Sequence, residues 1–215
     1  MPLQPDSQAL ALRRPSLTST FLDLIAGALP QRLGGDRLLR EIENLLVGPR
    51  PQRRPDRVLA TVLFTDIVGS TLRVARLGDH RWRRVLEAHD LSVRSHVAAH
   101  GGRVLKSLGD GYLATFDRPA RAIRCGHAIG DDASRLGLRT KVGVHTGECE
   151  RIGDDVAGIA VHIGARVMAK ASPGEVLATA AVRDLVVGSG IEFSPRGEHE
   201  LKGVPGVWTL HAVSR

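Results

Sequence analysis

A chain of 215 residues, 42% of them hydrophobic, suits one domain with a sizeable core plus an extension, and it holds neither an apolar run near the ~20 residues of a membrane span nor the apolar stretch of a secretory signal in Met1–Arg14. Its net charge of +7 divides into +3 over residues 1–57 (nine Lys/Arg against six Asp/Glu) and +4 over residues 58–215 (twenty-one against seventeen), a dispersed excess that disfavours a nucleic-acid-binding face. A 3% aromatic content argues against a base-stacking platform, and the two distant cysteines, Cys125 and Cys149, read as reduced thiols of a cytosolic (cytoplasmic) protein rather than a disulfide or zinc framework.

Residues 1–17 show no periodicity. Amphipathic helices are expected at Ser19–Leu29, ended by Pro30, and at Asp36–Leu46, stopped by Gly48-Pro49. The Pro/Arg-rich segment up to residue 57 then reads as a linker, so residues 1–57 form an N-terminal helical extension and residues 58–215 the main domain. Val58–Thr65 is a strand. A long helix from Asp79 to about His100 follows, with an apolar stripe of Trp82, Val85, Leu86, Leu91, Val93 and Val97. Gly101-Gly102 breaks it, and Arg103–Leu108 and Tyr112–Phe116 form a hairpin around Gly109-Asp110-Gly111, where glycine accepts φ > 0 on either side of the acid. A helix over Pro119–Leu136 and a strand over Arg139–Thr146 complete β-α-β-β-α-β, a ferredoxin-like α+β core. A C-terminal α/β extension follows: a helix at Ile159–Ala171, a strand at Glu175–Ala178, a short helix near Ala181–Val187 and two or three strands ending at Thr209–Val213.

Within this order the chemistry concentrates at Asp66, where an apolar strand ends in a carboxylate followed by the helix-opening Ile67-Val68-Gly69-Ser70-Thr71. Such a junction can hold a divalent cation and the phosphates it neutralises, although strand, acid and helix cap are also ordinary α/β punctuation. The first strand is expected beside the strand leading into the hairpin, which would bring Asp66 and Asp110 together. Two carboxylates with oxygen ligands only suit two Mg²⁺ or Mn²⁺ ions. His96 and His100 share a helix face without the Glu of a zinc protease motif, and no P-loop or G-x-S-x-G elbow is present.

From Val58 to Val213 the chain resembles the class III nucleotidyl cyclases, specifically the catalytic domains of bacterial adenylyl cyclases. The resemblance runs through Phe64-Thr65-Asp66-Ile67-Val68-Gly69-Ser70-Thr71, Lys106-Ser107-Leu108-Gly109-Asp110-Gly111, Val144-His145-Thr146-Gly147-Glu148 and Gly164-Ala165-Arg166-Val167. It implies that Asp66 and Asp110, with the Ile67 main-chain carbonyl, bind the metals, and that the backbone of Ile67, Val68, Gly69, Ser70 and Thr71 lies along the phosphates. It places the base-selecting pair on Lys106 and Asp155, an adenine-type combination, with the adjacent Asp154 as a one-residue alternative. It makes Arg166 the transition-state arginine and puts His162 where the family usually carries a ribose-orienting Asn. Lys202 resembles the C-terminal triphosphate lysine. Lys141 occupies a site often held by a phosphate-binding Arg, and keeps the charge without the bidentate fork.

The resemblance further implies a homodimer that converts ATP to cyclic AMP and pyrophosphate, with each site shared between subunits. A guanylyl cyclase, or a catalytically weak nucleotide-binding regulator suggested by His162 and Lys141, are the alternatives. Asp36–Gly48 faintly resembles the last helix of an α/β-hydrolase domain fused to some bacterial cyclases, but no nucleophile accompanies it.

Overall fold

The computed structural model describes residues 56–214. The helices expected at Ser19–Leu29 and Asp36–Leu46 lie outside the described residues. The described residues form one compact unit, a mixed α+β fold built on a single eight-stranded sheet. In chain order the elements are β1 (Asp56–Ile67), α1 (Ser70–Leu77), α2 (Asp79–Ala99), β2 (Arg103–Ser107), β3 (Tyr112–Phe116), α3 (Pro119–Arg135) and β4 (Thr140–Ile152). Then come β5 (Asp155–Ala157), α4 (Ile159–Lys170), β6 (Val176–Thr179), α5 (Ala180–Leu185), β7 (Phe193–Glu200) and β8 (Val207–Val213).

The strand order is β2-β3-β1-β4-β6-β8-β7, with β5 attached to β4 alone. The β1 strand therefore pairs with β3, the strand that leaves the hairpin, and not with the strand leading into it. This corrects the expected neighbour: β3 returns toward β1 and carries the hairpin's second arm against it, with Thr65 opposite Tyr112. The first strand is also longer than its apolar run, because β1 and β4 pair continuously from Asp56 opposite Arg151 to Ile67 opposite Thr140. Main-chain pairing carries both strands past the point where hydrophobicity stops.

Side-chain alternation gives the sheet two working faces. On one, Leu63 of β1 and Ala114 and Phe116 of β3 pack against Val93 and Val97 of α2 and Ile123 and Ile129 of α3. On the other, Val62, Phe64 and Leu113 pack against Ala160, Ala165 and Met168 of α4. The α2 stripe differs from expectation at one position: Leu91 is 70% exposed, while His89, not read as apolar, is buried with Trp82, Val93 and Val97.

Two glycines seat α4 close to the sheet. A Cβ on Gly143 of β4 would lie 2.2 Å from the Met168 amide nitrogen, and one on Gly164 would lie 2.7 Å from Val62 Cγ2. The helix that carries His162 and Arg166 is thus set at a distance only glycine permits.

Candidate active site

Asp66 is the penultimate residue of β1 and shares the face of Val62 and Phe64 by strand alternation. It is half-buried, and so is Asp110 at the hairpin tip. Burial, and then the charge of Asp110, push the Asp66 carboxyl above its ordinary pKa; the Lys141 ammonium and a hydrogen bond from the Ile67 N–H oppose the rise. Lys141 is the direct ladder partner of Asp66 on β4. A carboxylate whose ionisation burial and a neighbouring carboxylate oppose is a donor that a hard divalent cation relieves. Among the described residues no group of three or more His, Cys, Asp or Glu gathers for a metal.

The two hairpin glycines serve different ends. Gly109 has φ +87°, the left-handed turn conformation, with open space around it. Gly111 has no positive φ; a Cβ there would lie 2.7 Å from the Thr65 carbonyl and 3.3 Å from Asp66 Oδ1. Its absent side chain is what lets the hairpin close on the end of β1.

Beyond Asp66 the chain turns through Ile67, whose side chain is buried against Trp82 and Leu138, and Val68, whose N–H donates to the Arg139 carbonyl at 2.8 Å. Gly69, at φ +68°, opens α1 without a side-chain cap. Ser70 and Thr71, in the first turn of α1, line a cavity of about 470 Å³ together with Trp82, Leu86 and Asp110.

The predicted base-reading residues meet directly. Lys106 Nζ lies 2.7 Å from Asp155 Oδ2. This bond, and then the Val156 N–H at 2.8 Å, hold the Asp155 carboxyl below its usual range. Asp154 is directed elsewhere: Arg103 donates to its Oδ1 at 2.9 Å and to its carbonyl at 2.8 Å. Of the two adjacent acids, Asp155 is thus the one that lies beside Lys106.

Arg166 and His162 lie one turn apart on the exposed side of α4. The Arg166 Nε donates to the Lys202 carbonyl at 3.0 Å, which ties the arginine to the loop between β7 and β8. Lys202 itself is exposed, and Leu201 and Val204 anchor its loop in the core beneath α4.

Three groupings result: Asp66, Asp110 and Lys141; Lys106 and Asp155; Arg166 and Lys202. Among the described residues no hydrogen bond or ion pair joins one grouping to another.

Sequence reasoning missed the support behind the hairpin. Asp90 of α2 accepts a bifurcated bond from Arg94 Nε, at 3.0 Å on Oδ1 and 2.9 Å on Oδ2, and another from the hydroxyl of Tyr112, the residue after Gly111. Burial and that carboxylate push the Tyr112 phenol to about 12. Nothing in the local pattern around Asp90 signals this, because its partner is set by tertiary packing. The His96 and His100 pair has an ordinary explanation: His96 Nε2 bonds Asp132 Oδ2 at 2.7 Å and His100 Nδ1 bonds the His96 carbonyl at 2.7 Å. His145 is buried, with Nδ1 2.9 Å from Thr179 Oγ1. Cys125 and Cys149 are free and buried, and among the described residues no helix is long and apolar enough to cross a membrane.

The chain is 31% identical over 178 residues to "Putative adenylate cyclase 3" of Rhizobium meliloti, covering 74% of this chain and 29% of that protein. It is 35% identical over 132 residues to "Serine/threonine-protein kinase pkn2" of Myxococcus xanthus, covering 57% of this chain and 16% of the kinase. It thus spans less than a third of the length of either relative. Its fold is that of the adenylyl cyclase CyaB from P. aeruginosa, with a TM-score of 0.70 at 20% identity over 75% of this chain and 96% of that one. Residues 53–214, which hold all three groupings, match the family model described as the adenylate and guanylate cyclase catalytic domain, and the chain belongs to that family.

Proposed function

We propose that this chain is an adenylyl cyclase, converting ATP to 3′,5′-cyclic AMP and pyrophosphate in a cytoplasmic homodimer. The observation that carries the adenine reading is the contact of Lys106 Nζ with Asp155 Oδ2 at 2.7 Å. It presents one donor and one acceptor side by side, as the adenine edge requires: lysine donates to a ring nitrogen and aspartate accepts from the exocyclic amine. Guanine reverses both positions, with an acceptor at O6 and a donor at N1.

Asp66, Asp110 and the Ile67 carbonyl would hold two divalent ions, Mg²⁺ or Mn²⁺. Bound there, such ions lower the pKa of a hydroxyl and neutralise phosphate charge. The remaining groups are the chain's own. The N–H groups from Ile67 to Thr71 run along the phosphates, and Lys141 and Lys202 offset charge on the departing pyrophosphate. His162 orients the ribose through a ring nitrogen. Arg166 donates to the α-phosphate as negative charge builds on it during attack by the 3′-hydroxyl. The fixed Nε bond to the Lys202 carbonyl leaves the outer nitrogens of Arg166 to make that contact.

The three groupings, which no hydrogen bond or ion pair joins among the described residues, would be completed into one site between two copies related by a two-fold axis. The test is cyclic AMP formation by purified protein with Mn²⁺, with ATP and GTP in competition, compared with Asp110→Ala. Mixing Asp66→Ala chains with Arg166→Ala chains should restore activity through one intact site per dimer. Failure of the mixture to recover would remove the shared site; product unaffected by Asp110→Ala would remove the metal role. Exclusive formation of cyclic GMP would establish the guanylyl alternative.

A further inference from the structure

Lys106 reaches Asp155 because of an irregularity in β2. Arg103 pairs with Thr115 and Val104 with Ala114, but the next pair is Lys106 with Leu113, leaving Leu105 as an extra residue. Strict alternation would turn Lys106 to the side of Val104, which packs toward α2 and α3. The bulge returns Lys106 to the face of Leu113 and Phe64, the face that Arg103 also occupies opposite Thr115. Two cations three residues apart thus face the β4–β5 turn together.

Beyond these cations the turn is held by the β4–β5 ladder and by Val156, which is buried with Val62, Phe64 and Leu113. The β5 strand is short and pairs only with β4, and Gly153 in the turn adopts φ +59°. Arg103 crosses to it from β2 with both ends of its fork on one residue, Nη1 on Asp154 Oδ1 and Nη2 on the Asp154 carbonyl. The carboxylate of Asp154 is fully exposed, so its charge contributes little; the main-chain bond fixes where the next residue begins. That next residue is Asp155, whose Oδ2 meets Lys106.

We infer that Arg103 is a positioning residue for base selection: by clamping the main chain at Asp154 it sets the height at which Asp155 stands beside Lys106. The inference rests on the adenine reading of that pair and adds to it. The residue next to the reading acid has its own task, its main-chain carbonyl serving as the anchor, and a bidentate guanidinium suits this task better than an ammonium.

The test uses the full chain and compares Arg103→Ala, Arg103→Lys, Asp154→Ala and Asp155→Asn with wild type. Arg57→Ala is the control, because Arg57 makes an exposed pair with Glu148 at 2.9 Å and, among the described residues, no hydrogen bond or ion pair with Lys106, Asp154 or Asp155. Two quantities are read for each: the ratio of kcat/KM for ATP over GTP, and the ratio of affinities for non-hydrolysable ATP and GTP analogues. Arg103→Ala is expected to lower both ratios about threefold to tenfold, mainly through KM for ATP, with an unchanged unfolding midpoint. Arg103→Lys and Asp154→Ala, which each keep one bond, are expected to fall between Arg103→Ala and wild type, and Arg57→Ala to leave the ratios alone.

If Arg103→Ala depresses ATP and GTP equally, or leaves the ratios intact while Asp155→Asn lowers them, the positioning role is wrong and the base reading stands. If Asp155→Asn also leaves the ratios unchanged, the base reading falls and the inference falls with it.

Discussion

The Lys106 ammonium and the Asp155 carboxylate lie 2.7 Å apart on strands that share no ladder, β2 pairing only with β3 and β5 only with β4. Both side chains remain 40% or more exposed, so the pair adds little to stability. In the proposed function its value is in recognition, where leaving a base edge unpaired costs more than an exposed ion pair returns.

Asp155→Asn therefore separates the two roles. The unfolding free energy should change by less than about 1 kcal/mol. The kcat/KM for ATP should fall about tenfold to a hundredfold while that for GTP changes little, because an amide keeps an acceptor but loses the charge that strengthens it. Denaturant titration and steady-state kinetics on both nucleotides check this; equal losses on the two would make Asp155 a structural acid.

Much of this site was legible because its residues sit at punctuation marks. Asp66 ends an apolar run, Asp110 lies between glycines, and Asp155 follows a glycine turn, all readable within a few residues. What could not be read depends on partners distant in the chain. The adjacency of β1 to β3 is fixed by the hairpin's return, and the Leu105 bulge by register against β3. The short β5 strand exists only because β4 overruns its apolar segment and folds back. Gly111 reads as a turn residue, and only the closeness of Thr65 and Asp66 shows that it is there for space.

The hairpin glycines give a paired prediction. Gly111→Ala keeps an allowed backbone but drives a Cβ to 2.7 Å from the Thr65 carbonyl and 3.3 Å from Asp66 Oδ1, so the hairpin must move off β1. Cyclase activity should fall at least about tenfold, with a raised requirement for Mn²⁺. Gly109→Ala meets open space and pays only for its φ of +87°, roughly 1 kcal/mol, with a smaller loss of activity. Metal titrations of the two variants distinguish them, and equal metal requirements would refute the space argument.

Seating of α4 gives the next. Gly143→Ala puts a methyl 2.2 Å from a backbone nitrogen of α4, which cannot yield as a side chain can. A loss of about 2–3 kcal/mol is expected, against about 1–2 kcal/mol for Gly164→Ala, whose nearest neighbour is a valine methyl. Because α4 carries Arg166, kcat should fall in both before the protein unfolds. Urea titrations and kcat measured well below the unfolding midpoint check the order; a fully active, stable Gly143→Ala would mean that α4 does not sit against β4.

The last prediction concerns pH and stability, through His145. Its ring is buried, with Nδ1 on Thr179 Oγ1 and its edge toward Trp208 at a centroid distance of 5.7 Å. Burial lowers its pKa to about 4 from an ordinary 6.5. Above pH 6.5 the ring is neutral in folded and unfolded chains alike, and contributes no pH dependence. Between 6.5 and 4 the unfolded chain takes up a proton that the folded one refuses, so stability falls as pH falls, by up to about 1.4 kcal/mol per pH unit and about 3 kcal/mol in all. His89 and His211 are displaced in the same direction by burial, so the wild-type slope includes them. His145→Gln, which can still hydrogen-bond Thr179, should cost about 1 kcal/mol at pH 7.5 yet flatten the curve below pH 6.5 by up to one proton. Unfolding free energies of both proteins from pH 7.5 to 4.5 measure it: a gap that narrows or reverses toward acid is the expected result, and parallel curves would show that His145 is protonated in the folded core.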